Sequence, residues 1–318
     1  MATSSNPSST PLGILAAFAG IYIVWGTTYL AIAVAIQTVP PFISGAARFI
    51  IAAALMYVWL RSRNSRPLAG VNVLLATFCG VLLSGIGNGL VVWAQQGIPS
   101  GIAALIVAAV PVVVLIIDWA SFSKRPPRKR ALIGIAIALV GVATIVLHTR
   151  TLAGNAQPLH LLALIAAVIG WSFGTLLQKR GASAQTVLSF TCVQMFAGGL
   201  FQLAMSVVDG EWQHFDPRGI SLVSGLAIAH LILFGSLIGL NCYLWLLTRV
   251  SAQKVTTYAL VNPVVALILG ALLLGERVTP LAALSAALVL LGVGLVLFQQ
   301  LDVRAWWRAR RGIQSTVT

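Results

Sequence analysis

Charge is what this sequence has least of. Only 8% of its 318 residues are Asp, Glu, Lys or Arg, against about 25% in a water-soluble domain, so a soluble globular protein is excluded. Acids are scarcest, with six Asp+Glu beside 20 Lys+Arg and a formal net charge of +14. Such an excess can mark a nucleic-acid partner. Here, however, the basic residues are scattered through short gaps between long apolar runs, which points to a membrane protein with no nucleic-acid partner. Cysteine is nearly absent as well: Cys79, Cys192 and Cys242 lie far apart inside apolar runs, without metal-ligand spacing. They read as small core or lipid-facing residues and fix no redox compartment. Met1 to Pro11 contains no Lys or Arg, so the basic start of a signal peptide is missing and the first apolar run reads as a retained helix. Also missing are a Cys/His cluster, paired carboxylates within one apolar run, a phosphate-cradling Gly-Lys-Ser/Thr loop, and a nucleophile with its base. The sequence therefore reads as neither an enzyme nor an ATP-driven pump, and it calls for no metal or cofactor.

What is present is hydrocarbon, with 59% apolar residues. Windows bounded by Gly, Pro or charge give ten spans, at 12–35, 42–60, 70–93, 101–122, 131–148, 159–178, 186–208, 220–247, 254–274 and 280–299. A helix needs about 20 residues to cross a bilayer, and ten such spans leave no room for an extramembrane domain. Backbone groups cannot stay unpaired in hydrocarbon, and continuous apolar runs do not fit the alternation of barrel strands. The expected fold is all-α and integral to the membrane. Alternate connections differ sharply in Lys and Arg. One side collects Arg61, Arg63 and Arg66, the run from Lys124 to Arg130, Lys179 and Arg180, Arg249 and Lys254, and the arginines from Arg304 to Arg311. The other side has Arg150, Arg218 and Arg277, together with Asp209, Glu211, Asp216 and Glu276. Retention of basic loops in the cytoplasm predicts both termini there, and a multi-pass protein of the cell membrane.

The two halves share landmarks. Trp25 and Arg48 are 23 residues apart, as are Trp171 and Gln194; Trp93 and Pro111 are 18 apart, as are Trp245 and Pro263; Gly141-Val142 matches Gly292-Val293. Five spans per half is an odd number, so the halves enter the membrane from opposite sides. Such inverted repeats in secondary transporters bracket a site near the midplane. The expected organisation is a tail at 1–11, a first repeat at 12–148, a second at 159–299, and a basic tail at 300–318.

Several stretches together carry a family resemblance: Trp25-Gly26-Thr27-Thr28-Tyr29, Pro40-Pro41 with Arg48-Phe49, Gly87-Asn88-Gly89, Pro99 to Ala104 and Pro111. In the second half they are Trp171 to Gly174, Phe234-Gly235-Ser236, Asn241 to Tyr243, Tyr258 to Val265, and Gly275-Glu276. From Leu12 to Phe298 the chain resembles the ten-helix EamA-type exporters of the drug/metabolite transporter superfamily. The resemblance implies alternating access by two five-helix repeats and export of amino acids, metabolites or drugs. Proton coupling is also argued from it, and from the missing nucleotide site. Two departures stand out. Gln95 and Gln96 occupy a place where members often carry an acid, and Lys124 stands at the position related to Glu276.

The expected cavity is bounded by Trp25, Tyr29, Asn88, Trp171, Asn241, Tyr258 and Asn262. Tyr22, Trp25 and Tyr29 form one stripe on the first span, and Trp25 and Trp171 lie too deep for an interfacial belt. They line a cavity or pack helices. Asn88 and Asn241 supply cavity polarity or interhelical hydrogen bonds. Pro111 and Asn262-Pro263 interrupt spans four and nine, freeing carbonyls as at transporter binding sites, although kinks of this kind also occur in inert helices. Three ionisable residues are candidates for coupling or gating. Asp118 does this or pairs with Lys124 or Arg125. Arg48 attracts an anionic group, snorkels, or ties neighbouring carbonyls. His230 relays a proton or bonds a nearby carbonyl. Glu276 is read as a local ion pair with Arg277 or a cap. Small residues in spans five and ten allow close approach, including homodimerisation. The expected partners are a small-molecule substrate, protons and membrane lipids. The reading is a secondary exporter of a small amphipathic metabolite, with a lipid flippase or a structural membrane subunit as alternatives.

Overall fold

The computed structural model describes residues 11–124, 126–148 and 157–298, so the readings of Arg125, of Arg150 and of the two tails lie outside the described residues. Ten helices follow the ten apolar runs: α1 Pro11–Ala35, α2 Pro41–Arg63, α3 Val73–Ala94, α4 Ser100–Ser123, α5 Lys129–Leu147, α6 Pro158–Gly181, α7 Val187–Val208, α8 Leu222–Leu247, α9 Tyr258–Leu274 and α10 Pro280–Phe298. Nine have the length and apolarity to cross a membrane by themselves. The exception, α9, is preceded by a single helical turn, Ala252–Val255, from which Thr256 and Thr257 separate it. No strand occurs among the described residues.

Helix starts follow local chemistry. Proline is the first residue of α2 and α6, where its missing N–H is not needed. Asn72, Ser221 and Ser251 cap α3, α8 and the short turn through side-chain oxygens. Three helices widen into π-type turns, over Val81–Asn88 in α3, Asp118–Ser123 at the end of α4, and Leu231–Leu240 in α8. The first and last of these are rich in Gly and Ser. Each releases a carbonyl to another element: Ser84 O accepts from Gln202 Nε2 at 2.7 Å, and Gly235 O from Trp25 Nε1 at 3.1 Å.

The main packing partners are α2 with α7, α5 with α10, α4 with α9, α1 with α8 and α9, α6 with α3 and α4, α3 with α7, and α2 with α8. Exchanging every helix for the one five places along leaves this scheme unchanged. The α5–α10 contact changes the reading of their glycines. A Cβ on Gly134 would stand 2.6 Å from Gly292 O, and one on Gly292 would run into the Ala138 backbone. These faces close on each other within one chain and are not available to a second copy.

The reading of Pro111 and Pro263 as matched breaks needs correction. Pro111 does follow a break, at Ala108–Ala109 between Ser100–Val107 and Val110–Ile117. Pro263 sits inside the continuous helix α9, and the second break lies earlier, at Thr256–Thr257. One proline removes a single ladder bond, and close packing of α9 on α1 and α4 holds the rest of the helix together.

Candidate functional site

Side chains from α1, α2, α3, α4, α6, α8 and α9 converge on a cavity of about 60 Å³ between the halves. Trp25, Tyr29, Asn88, Trp171, Tyr258 and Asn262, singled out in the sequence, all line it, and so does Arg48. Asn241 does not. It faces a separate groove with Ala16, Leu188 and Trp245, and its Nδ2 donates to Leu237 O at 2.6 Å. The 152-residue offset between Pro111 and Pro263 explains the miss, because it pairs Asn88 with Leu240, and Leu240 lines the cavity. The same offset pairs Val110 with Asn262, and both are in the lining. Offset-related positions thus both line the cavity, a polar residue from one half matched by an apolar one from the other.

At one end of the cavity the aromatics interlock. The Trp25 ring lies 5.6 Å from Trp171, 5.1 Å from Tyr243 and 5.0 Å from Tyr258, edge-on to Trp171 and Tyr258, the favoured geometry for aromatic quadrupoles. Tyr243 is wholly buried and its hydroxyl meets Thr175 Oγ1 at 2.6 Å. Sequence reasoning passed over Tyr243, although the quoted stretch Asn241 to Tyr243 contains it. Glycines make room for the rings. A Cβ on Gly239 would strike Trp25 Nε1, and one on Gly87 would sit 3.0 Å from the Trp171 ring. Gly87 and Gly239 are again 152 residues apart.

Arg48 is 4% exposed. Its Nε donates to Ser236 Oγ at 2.8 Å on α8, and its Nη1 to Asn88 Oδ1 at 3.3 Å on α3. A Cβ at Gly235 would lie 2.9 Å from Nη2, so glycine is what allows the guanidinium to pass over α8. The related Gln194 is bonded to Gln178 and carries no charge.

His230 lies beside the cavity without lining it: its Nε2 is 3.1 Å from Thr27 Oγ1 and its ring is 5.1 Å from Phe234. Asp118, half-buried at the start of the last wide turn of α4, makes no ion pair with Lys124, whose ammonium bonds the Ala120 carbonyl instead.

Two carboxylates tie the halves together at the end where α2 and α4 begin. Glu211, 7% exposed, accepts from Phe42 N and Ile43 N, both at 2.8 Å. Glu276 accepts from Ser100 N at 2.7 Å and Gly101 N at 3.1 Å. Each satisfies two amides that a helix start leaves unbonded and meets the positive end of its dipole. Glu276 therefore caps a helix 176 residues away in sequence and not its own neighbourhood. Burial pushes the Glu211 carboxyl above its ordinary value, and Asp209 adds to this, while the two amide bonds pull the other way.

The arrangement is a small central chamber flanked by packed aromatics, and among the described residues no group of His, Cys, Asp and Glu is placed to hold a metal. Comparison with known proteins agrees with this architecture. The model of the EamA-like transporter family matches twice, over residues 11–147 and 158–298. The "Uncharacterized inner membrane transporter YedA" of Escherichia coli (strain K12) is 34% identical over 287 residues, covering 90% of each chain. A "Probable amino-acid metabolite efflux pump" of the same strain is 28% identical over 295 residues, 90% of this chain and 94% of its own. "Protein PagO" of Salmonella typhimurium (strain LT2) is 25% identical over 279 residues, 87% and 90% of the two chains. A solved crystal structure superposes with a TM-score of 0.61 at 18% identity, over 92% of this chain and 100% of its own, a likeness of fold. The chain belongs to the EamA-like transporter family.

Proposed function

We propose that this membrane transporter is a secondary active exporter of a small amphipathic metabolite, moved by alternating access of two inverted five-helix repeats and coupled to the proton gradient. In this reading it is a multi-pass inner-membrane protein with both termini in the cytoplasm, and 12–148 and 159–299 are the rocking units. One observation carries the reading: the chamber between the halves is lined by residues at matching places in each, Trp25 with Trp171 and Val110 with Asn262. A volume of about 60 Å³ holds a few waters. Cargo larger than that needs the cavity to widen, and rocking of one repeat against the other would do this. The names of two relatives, an inner membrane transporter and a probable amino-acid metabolite efflux pump, support the placement and suggest amino acids or their derivatives as cargo.

The test is uptake of a mixed amino-acid and metabolite panel into inside-out vesicles, read by mass spectrometry with and without an imposed proton gradient. Gradient-dependent accumulation of one chemical class above empty-vector vesicles is the expected result. Absence of enrichment with folded protein present overturns the export reading. Asp118→Asn is expected to abolish the gradient dependence while cargo binding persists; unchanged dependence removes Asp118 from coupling.

A further inference from the structure

Arg48 is the one charged residue among the described residues that line the chamber. Its hydrogen-bond partners, Ser236 and Asn88, are both neutral, and no carboxylate among the described residues pairs with it. A buried cation without a counter-ion is costly in hydrocarbon. Snorkelling would relieve that cost by turning the guanidinium toward the nearer end of α2. Instead the group is turned inward and fastened at Nε and Nη1 to the wide-turn segments of α8 and α3, with Gly235 leaving space for Nη2.

We infer that Arg48 is the counter-ion for a carboxylate on the cargo, so that the chamber selects organic acids with an apolar or aromatic body, amino acids included, over amides and amines of the same shape. This rests on the transporter reading and gives the substrate class of that site. The guanidinium has five N–H donors in a planar fork, and two described bonds leave the others for an incoming carboxylate. Because Ser236 and Asn88 fix its plane beforehand, little ordering remains to be done on binding. Trp25, Trp171, Tyr29 and Tyr258 offer the body of the cargo aromatic surface. Asn262, 4% exposed, has an Oδ1 with no hydrogen-bond partner among the described residues, an acceptor for an N–H or O–H of the cargo. The charge is one-sided, since Gln194 occupies the related place in the second half. Cargo is therefore oriented with its acid toward α2.

Binding to the purified full-length protein in lipid nanodiscs tests this, using phenylacetate, phenylacetamide and 2-phenylethylamine as probes. Thermal shift and quenching of tryptophan fluorescence read affinity without requiring transport. Phenylacetate is expected to bind about tenfold or more tightly than phenylacetamide, because charge-assisted bonds to guanidinium are roughly twice as strong as neutral ones, and the amine is expected not to bind. In Arg48→Gln the acid-to-amide ratio falls to about one. Arg48→Lys keeps a reduced preference, since the charge remains but the fork is lost. A residue that only stapled α2 to α3 and α8 would lower stability in both variants and leave the ratio alone. Should Arg48→Gln fail to fold, the wild-type ratio and Arg48→Lys decide. Equal binding of the three probes, or binding of none, overturns the inference. Acid-selective binding without vesicle uptake retains it and overturns export, whereas uptake of amides and amines alongside acids does the reverse.

Discussion

A tryptophan at mid-depth needs room and an acceptor for its indole N–H, and its own helix supplies neither. Trp25 obtains both from α8, the room from Gly239 and the acceptor from Gly235 O. Gly239→Ala is therefore expected to push the indole off its carbonyl and destabilise the protein by about 1–3 kcal/mol, the usual cost of overpacking. Gly225→Ala, on the same helix with nothing within 4 Å of the added methyl, gains helix propensity and is expected to stabilise by up to about 1 kcal/mol. Thermal unfolding of the two variants side by side checks the contrast, and equal effects would refute this account of Gly239. The meeting of Trp25 and Trp171 was legible because each lies near the middle of its span. Asn241 was misplaced by one residue: a helix turns about 100° per position, so Leu240 faces the chamber and Asn241 faces away. The partners of Arg48 were not legible either. Ser236 is 188 residues from it in sequence, and no local pattern encodes that approach.

Helix ends were legible, but what binds them was not. Pro40-Pro41 and Pro99-Ser100 announce the starts of α2 and α4, while the acids that cap them arrive from loops beyond α7 and α9. Replacing Glu276 by alanine strips both bonds from the α4 start and is expected to cost about 1–2 kcal/mol in thermal or chemical unfolding. For Glu211 the effect depends on pH. Its carboxyl is raised above the ordinary 4.5 by burial and by Asp209, while Phe42 N and Ile43 N favour the ionised form. Asp216 and His214 are the other titratable groups of the same hollow. A folded-state value above the unfolded one means that folding favours the proton. The stability so contributed is complete below about pH 4.5 and is lost as the pH rises through the folded-state value. The melting temperature of the wild type relative to Glu211→Gln is therefore expected to fall between pH 4 and 7. A difference that does not change over that window would show that the amide bonds outweigh burial.

The two ends of the molecule are closed by different chemistry. At one, Glu211 and Glu276 reach from the second half to helix starts in the first. At the other, Tyr22 Oη meets Thr257 Oγ1 at 2.5 Å, just beyond the rings of Trp25 and Tyr258. Four amide-to-carboxylate bonds hold the first end, whereas the second is held by individually weaker contacts, the Tyr22–Thr257 hydroxyl pair, the Ser189 hydroxyl on Pro67 O and ring contacts such as Arg180 over Phe122, which separate at lower cost. The Tyr22–Thr257 end is thus the one expected to open first, and in the proposed orientation and direction of transport it is the end at which cargo loads. A pair of cysteines at Tyr22 and Thr257, in a background with Cys79, Cys192 and Cys242 replaced by alanine, allows that end to be locked by a short bifunctional maleimide. Locking is expected to abolish uptake into inside-out vesicles, whose exposed face is then sealed, while either single cysteine treated in the same way remains active. Full activity of the locked protein would mean that cargo does not pass between α1 and α9, and rocking of the halves about the chamber would have to be abandoned.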